Sequence, residues 1–385
     1  MRIVMMGTGT FAEPTFEALL ANFGADVVGL VTQPPRDGGH KRGSTRQIGK
    51  GMAAIASLAG RASDGLSVGS NENHPSLARP ANNVAIAQPE SINSPEGIEQ
   101  LRAMKPDLLV VAAYGQILSK DVLAIPTRGV INVHASLLPK YRGAAPVAYA
   151  ILNGEKQTGV TIIKVTPGLD SGDMILQEAL DILPDDTTGS LEARLAVLGA
   201  KLAVDAVKMY QSGEPVPGRK QDPALVTKAP KIKKEFGLID WSKPAEEICR
   251  HIRAMQPWPT AYTFLHRPGK EPMRVIVNAV AKPLRRLVTS EDDGVPSGEV
   301  AGWGGPDGEA YVCAAVVEDE ATTVQLLELQ PAGKKRMTVE EFSRGYPWVE
   351  GMRFGPEQAS GGREPPDSPA IATKSHQGAD APRSP

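Results

Sequence analysis

The feature that most restricts the fold is an alternation within the first 210 residues. Short aliphatic runs of buried-strand length occur at Arg2–Met6, Asp26–Thr32, Asp107–Ala113 and Gly129–His134. Between them, Glu13–Asn22, Ser94–Met104 and Ser190–Tyr210 carry apolar residues at helical spacing. Strands separated by helices cross over and pair in parallel. The expected class is α/β, a doubly wound, mainly parallel sheet with its sites at the carboxyl ends of the strands.

Residues 61–82 break the pattern. They are rich in Ser, Asn, Gly and Ala, lie between a helix expected at Ile48–Leu58 and a strand at Asn83–Ala87, and read as a surface insertion. At residues 211–229 the composition shifts to Gly, Pro, Lys and Gln, as in an interdomain linker. Beyond it come one helix, Ala245–Ala254, and alternating segments at Ala261–Leu265, Met273–Val280, Ala310–Val317 and Thr322–Leu329. Short strands with Gly/Pro turns predict a small β-barrel or sandwich over residues 230–354. In residues 355–385 the only bulky aliphatic side chain is Ile371, too little apolar surface to offset the entropy of ordering, so a disordered tail is expected.

A formal net charge of -2, from 42 basic and 44 acidic residues, gives no global field for nucleic acid, so such a partner would need a local patch. Cys249 and Cys313 stand far apart and outside ligand spacing, which argues against a zinc site or a disulfide framework and fits a reducing compartment. No run approaches the roughly 20 apolar residues of a membrane span. A cytoplasmic protein with no metal and no membrane partner is expected.

Gly7-Thr8-Gly9-Thr10-Phe11-Ala12 matches a dinucleotide-binding spacing. The second strand, however, ends Val31-Thr32-Gln33-Pro34, with no acidic residue for a ribose hydroxyl, so the segment reads better as a tight turn lining a substrate cleft. Ile131-Asn132-Val133-His134 is sharper. Alternation along a strand points Asn132 and His134 the same way at a carboxyl end, an amide donor beside an imidazole. Asp170 and Asp173 are the carboxylates of the Gly168-Leu169-Asp170-Ser171-Gly172-Asp173 segment that follows.

Asn132-Val133-His134-Ala135-Ser136-Leu137-Leu138-Pro139, then Tyr141-Arg142-Gly143-Ala144-Ala145-Pro146 and the segment around Asp170, together resemble the formyltransferases that use 10-formyltetrahydrofolate. The resemblance implies a catalytic trio of Asn132, His134 and Asp170, the aspartate standing 38 residues beyond the asparagine. In the family pattern the acid precedes the small-Gly pair, which selects Asp170 over Asp173. Tyr114, Gly115, Gln116, Ile117 and Leu118 resemble the loop that encloses the folate, and Ser136, Leu137, Leu138 and Pro139 the adjoining folate-contacting turn. The family usually carries Pro-Glu where this chain has Gly9-Thr10, so substrate contacts from those two positions do not carry over.

The carboxyl-terminal half, with Ala229-Pro230-Lys231-Ile232, Pro257-Trp258-Pro259-Thr260 and Gln330-Pro331-Ala332-Gly333-Lys334-Lys335-Arg336, resembles the family members that formylate a charged tRNA. The implied partner is initiator methionyl-tRNA, the co-substrate 10-formyltetrahydrofolate, and the second domain an OB-like barrel in a monomeric enzyme. Arg36, Lys41, Arg42 and Arg46, with Lys231, Lys334, Lys335 and Arg336, form the expected tRNA-binding groups. In the mechanism so implied, Asn132 and a protonated His134 donate to the developing oxyanion while Asp170 keeps the imidazole charged.

Overall fold

The computed structural model describes residues 1–34, 84–281, 284–287, 297–303, 310–314 and 320–357. The expected helix at Ile48–Leu58, the insertion at 61–82 and residues 358–385 of the expected tail lie outside them. The chain forms two compact units, one of residues 1–232 with 253–260, the other of residues 233–252 with 261 onward.

The first unit is built on a seven-stranded sheet of order β3-β2-β1-β4-β5-β6-β7. β1 (Ile3–Gly7), β2 (Val27–Val31), β3 (Ala85–Ala87), β4 (Leu108–Ala112) and β5 (Val130–His134) are parallel. β6 (Gln157–Lys164) and β7 (Met174–Asp181) return antiparallel at one edge. Every residue of β1 and β4 is buried, as a central parallel strand covered on both faces requires. Each such aliphatic side chain contributes about 1.5–3 kcal/mol by leaving water.

Helix α1 (Ala12–Phe23) follows β1. α2 (Pro95–Ala103) starts at Ser94, whose side chain accepts from the Gly97 N–H, with proline in the first turn. Leu101 and Met104 at the end of α2, and Val122 of α3 (Lys120–Leu123), pack on one face of the sheet against Val4, Met6, Val31, Leu109 and Val111. α4 (Pro146–Leu152) is short and buried, and α5 (Thr188–Gln211) opens with a Thr187/Ser190 capping box.

α5 lies on the other face, close to β5. A Cβ at Gly199 would stand 2.8 Å from Val133 Cγ1, so a side chain there would push the helix off the strand. Val133 therefore points at α5 while Val130, Asn132 and His134 share the opposite face. The sequence pattern and the packing agree on which way the polar pair faces.

Residues 211–229, expected as a linker, are stitched to this first unit. Met174 and Arg219 exchange backbone hydrogen bonds of 2.8 Å in both directions, and Arg142 pairs with Lys228 in parallel. Residues 253–260, assigned from the sequence to the second domain, also pack with the first unit. Arg253 donates to the Asp186 carbonyl (2.9 Å), Thr188 to that of Ala254 (2.7 Å), and Gly189 N–H to that of Gln256 (3.2 Å).

The second unit is an antiparallel sheet of order β11-β12-β13-β9-β8-β15, with β10 and β14 also pairing with β13. Its strands are β8 (Tyr262–His266), β9 (Met273–Val280), β10 (Leu284–Leu287), β11 (Val300–Trp303), β12 (Ala310–Cys313), β13 (Glu320–Pro331), β14 (Met337–Thr338) and β15 (Arg353–Gly355). The Phe354 N–H donates to the Gly298 carbonyl (2.7 Å) and Glu299 bridges to Arg353, which brings the last strand back to the first and leaves a nearly closed barrel. Gly355, expected to open the tail, instead ends β15, paired with Phe264.

Helix α6 (Ala245–Ala254) buries Ala245, Ile248, Cys249 and Ile252, one stripe at helical spacing. α7 (Val339–Gly345) is held by a Thr338/Glu341 capping box. Within this unit runs a buried polar chain in which Trp241 donates to Thr263 (3.0 Å) and Thr263 to the Gly355 carbonyl (3.1 Å).

His251 on α6 gives this unit a pH dependence. Its Nε2 is shielded from water and takes no hydrogen bond among the described residues. Burial pushes its pKa down to about 4, against the opposite pull of the Gly237 carbonyl and Asp240. In the unfolded chain the ring titrates near 6.5, so from pH 6.5 down to 4 the unfolded state binds a proton that the native state refuses. Stability is complete above pH 6.5 and is lost as the pH falls through that window, by up to about 3 kcal/mol. Urea unfolding at pH 7 and pH 5 checks this. The loss should shrink in His251→Gln, and equal losses in both proteins would remove His251 as its source.

Candidate active site

The order of the sheet reverses between β1 and β4, whose ends meet at the Gly7–Ala112 pair. The loops after β1, β4 and β5 therefore flank one crevice at the carboxyl edge. In the first loop Gly9 adopts a positive φ of 86°, and Thr8 Oγ1 accepts from the Gln33 N–H (3.3 Å). The Gln33 amide in turn donates to the Tyr114 carbonyl (2.6 Å), which ties the end of β2 to the loop after β4. Beside Thr10 lies a carboxylate. Glu192 of α5 accepts from Thr10 Oγ1 at 3.4 Å, and burial raises its pKa.

Asn132 and His134 stand on one face at the end of β5, as strand alternation requires. The Asn132 amide is half-buried and takes no hydrogen bond among the described residues. His134 is buried, and its Nε2 lies 3.0 Å from the Tyr141 carbonyl. A carbonyl can only accept, so Nε2 carries a proton and Nδ1 is the nitrogen left for chemistry. Nδ1 faces Asp170 Oδ2 at 3.7 Å.

The loop after β5 and the loop between β6 and β7 form two arms that hold this pair. On the first arm Tyr141 adopts a φ of 64°, with its N–H on Thr227 Oγ1 (2.8 Å) and its hydroxyl on Glu155 (2.7 Å). Gly143 follows at φ 126°, and its N–H donates to Asp170 Oδ2 at 2.9 Å. On the second arm Asp170 sits at φ 45°. A left-handed backbone at a non-glycine residue costs roughly 1–2 kcal/mol, so Tyr141 and Asp170 are both held in place by their surroundings.

Burial pushes the His134 pKa down, and this outweighs the opposite effects of Asp170 and the Tyr141 carbonyl. The resting imidazole is therefore neutral, with a bare Nδ1, not the cation expected from the neighbouring aspartate. Desolvation of a charged ring in this buried position exceeds the attraction of a carboxylate 3.7 Å away.

The loop after β4, expected to enclose the folate, leaves main-chain groups free. The backbone N–H groups of Gly115, Gln116 and Ile117 donate to nothing among the described residues, and the Ile117 side chain is 75% exposed beside them. Other residues expected to touch folate are turned inward. Tyr114, Leu118, Ser136 and Leu138 are buried, and the Gln116 amide is taken by the Ile92 N–H and the Glu90 carbonyl, each at 3.0 Å. Leu137 and Pro139 are half-buried. Thr161 links the adjoining turn to β6, donating to the Ser136 carbonyl (2.6 Å) and accepting from the Leu138 N–H (3.1 Å).

Of the basic groups expected to meet tRNA, Arg36, Lys41, Arg42 and Arg46 lie outside the described residues. Lys231 is exposed on the first unit. Lys334, Lys335 and Arg336 share the exposed turn between β13 and β14 of the second, where Arg336 is paired with Glu328. Among the described residues no group of three or more His, Cys, Asp or Glu side chains could hold a metal, and no helix is long and apolar enough to cross a membrane.

Sequence reasoning missed Gln221 and Thr227. Both belong to a segment that shows only loop composition, and no periodicity there reveals what a side chain reaches.

A doubly wound sheet carries an Asn–His pair at one strand end and an aspartate from the loop between β6 and β7, the arrangement expected of a formyltransferase. The Formyl transferase family model matches residues 1–207, and that of the Formyl transferase C-terminal domain matches residues 231–347. The chain is 40% identical over 362 residues to a methionyl-tRNA formyltransferase of Citrifermentans bemidjiense, covering 94% of this chain and 99% of that protein. It is also 40% identical over 344 residues to that of Bacillus subtilis, covering 89% and 94% of the two chains. The chain belongs to the methionyl-tRNA formyltransferase family. Its fold is shared with an N-formyltransferase from Helicobacter canadensis, at a TM-score of 0.53 and 16% identity over 85% of this chain and 99% of that one.

Proposed function

We propose that this protein transfers the formyl group of 10-formyltetrahydrofolate to the free α-amine of methionyl initiator tRNA in the cytoplasm. The observation that carries the reading is His134 Nδ1, 3.7 Å from Asp170, on the same strand face as the unpartnered Asn132 amide. Family membership supplies the substrate pair.

When bound, the folate supplies the formyl carbon and the nitrogen that leaves it, and Gly115, Gln116 and Ile117 would hold it through their free N–H groups. Asn132 donates a hydrogen bond to the formyl oxygen as it gains negative charge. His134 Nδ1 takes the proton that the attacking amine sheds. The imidazolium so formed is stabilised by Asp170 and returns that proton to the departing nitrogen. Asp170 thus acts on the charged form of His134 that arises during turnover, and the resting ring stays neutral. Lys231, Lys334, Lys335 and Arg336, with Arg36, Lys41, Arg42 and Arg46, contact the tRNA backbone.

The test is formyl transfer from 10-formyltetrahydrofolate to methionyl initiator tRNA, beside methionyl elongator tRNA and a nucleotide-sugar amine. The initiator tRNA should be the preferred acceptor. Transfer to the sugar amine alone would overturn the tRNA assignment.

A further inference from the structure

We infer that Gln221 is a positioning residue for the reaction, acting through Asp170. This rests on the roles given to His134 and Asp170 above. The two arms that carry the reacting pair meet through two links. One is the Gly143 N–H bonded to Asp170 Oδ2 at 2.9 Å. The other is a single buried side chain from neither arm.

The Gln221 amide nitrogen donates to the Asp170 carbonyl (2.7 Å) and to the Gly172 carbonyl (2.8 Å). Its oxygen accepts from Arg142 Nε (3.0 Å) and from a terminal nitrogen of the same guanidinium (2.8 Å). Both donors and both acceptor sites of one amide are used, with Gln221 itself 9% exposed. Arg142 immediately precedes Gly143, and Asp170 carries the carboxylate that Gly143 holds, so Gln221 ties together the residues on either side of that hydrogen bond.

The conformation of Asp170 makes the link consequential. Its φ of 45° is one that an aspartate keeps only under constraint, and the Gln221 amide pins the carbonyl of that residue. Released, the backbone would relax and carry the carboxylate away from His134 Nδ1. The Arg142 charge remains paired to a neutral oxygen, which leaves Asp170 free to face the imidazole.

The experiment is a double-mutant cycle on the full-length enzyme, with formyl-transfer kinetics for wild type, Gln221→Leu, Asp170→Asn and the double variant. Gln221→Leu should lower kcat by about 10–100-fold with little change in KM for the folate. In the Asp170→Asn background the same change should cost less than about two-fold, because the group being positioned is already gone. Gln221→Glu keeps the acceptor for Arg142 but loses both donations, and should slow turnover as Leu does. It carries the test if the leucine variant does not fold.

A glutamine that only stabilises the fold would lower the unfolding midpoint and multiply its full factor onto Asp170→Asn. That result, or wild-type kcat in either folded single variant, overturns the inference. Wild-type turnover by Asp170→Asn would instead remove the assignment on which it rests, so the two failures are distinguishable.

Discussion

Replacing His134 with alanine is expected to lower kcat for formyl transfer by about 10²–10³-fold, with the native fold intact. The side chain has two tasks that no neighbour can assume. Its Nε2 is committed to the Tyr141 carbonyl, which orients the ring, and its Nδ1 faces Asp170 as the proton acceptor. Loss of the ring also removes the imidazolium that Asp170 stabilises, so the Asp170→Asn effect should nearly vanish in the His134→Ala background. Steady-state kinetics with circular dichroism of each variant provides the check. Turnover of His134→Ala at the wild-type rate would end the assignment.

A second large effect is expected from a single methyl group at Gly143. The residue sits at φ 126°, and a Cβ there would lie 2.5 Å from the Ala229 carbonyl oxygen and 3.1 Å from its carbon. Neither atom can move aside cheaply, because Ala229 is bonded on both sides: its N–H to the Arg142 carbonyl (2.7 Å) and its carbonyl to the Ala145 N–H (3.1 Å). Gly143→Ala should destabilise the protein by about 1–3 kcal/mol and displace the Gly143 N–H from Asp170. A displacement of about 1 Å at such a hydrogen bond costs on the order of 10²-fold in rate. The expected signature is a fall in kcat well beyond what the lower melting temperature explains at the assay temperature. Gly143→Ala with wild-type kcat would show that this backbone donor does not set the position of Asp170.

The sheet was legible in the sequence because its central strands are buried on both faces and read as unbroken aliphatic runs. β7 was not, since this edge strand, Met174–Asp181, buries only Met174 fully and carries polar residues through its length. The facing of Asn132 and His134 followed from strand periodicity alone, and the resemblance added Asp170. The charge on His134 did not follow. An adjacent aspartate suggests a cation, and only the depth of the ring reverses the balance. Gln221 and Thr227 were invisible for a different reason: their partners, Asp170, Gly172, Arg142 and Tyr141, lie 49 to 86 residues away in sequence.

The seam between residues 211–229 and the first unit bears on how such an enzyme can exchange modules. The natural place to cut appears at Gln211, where α5 ends and the composition turns to that of a tether. A crossover there would hand the incoming module a chain that must still supply a glutamine to Asp170, a hydroxyl to Tyr141 and a carbonyl to Ala145. The first unit runs on to Ile232 and is completed by residues 253–260. Recombination between relatives, or a chimera made at the bench, keeps its catalytic half whole only if the junction falls beyond Thr260.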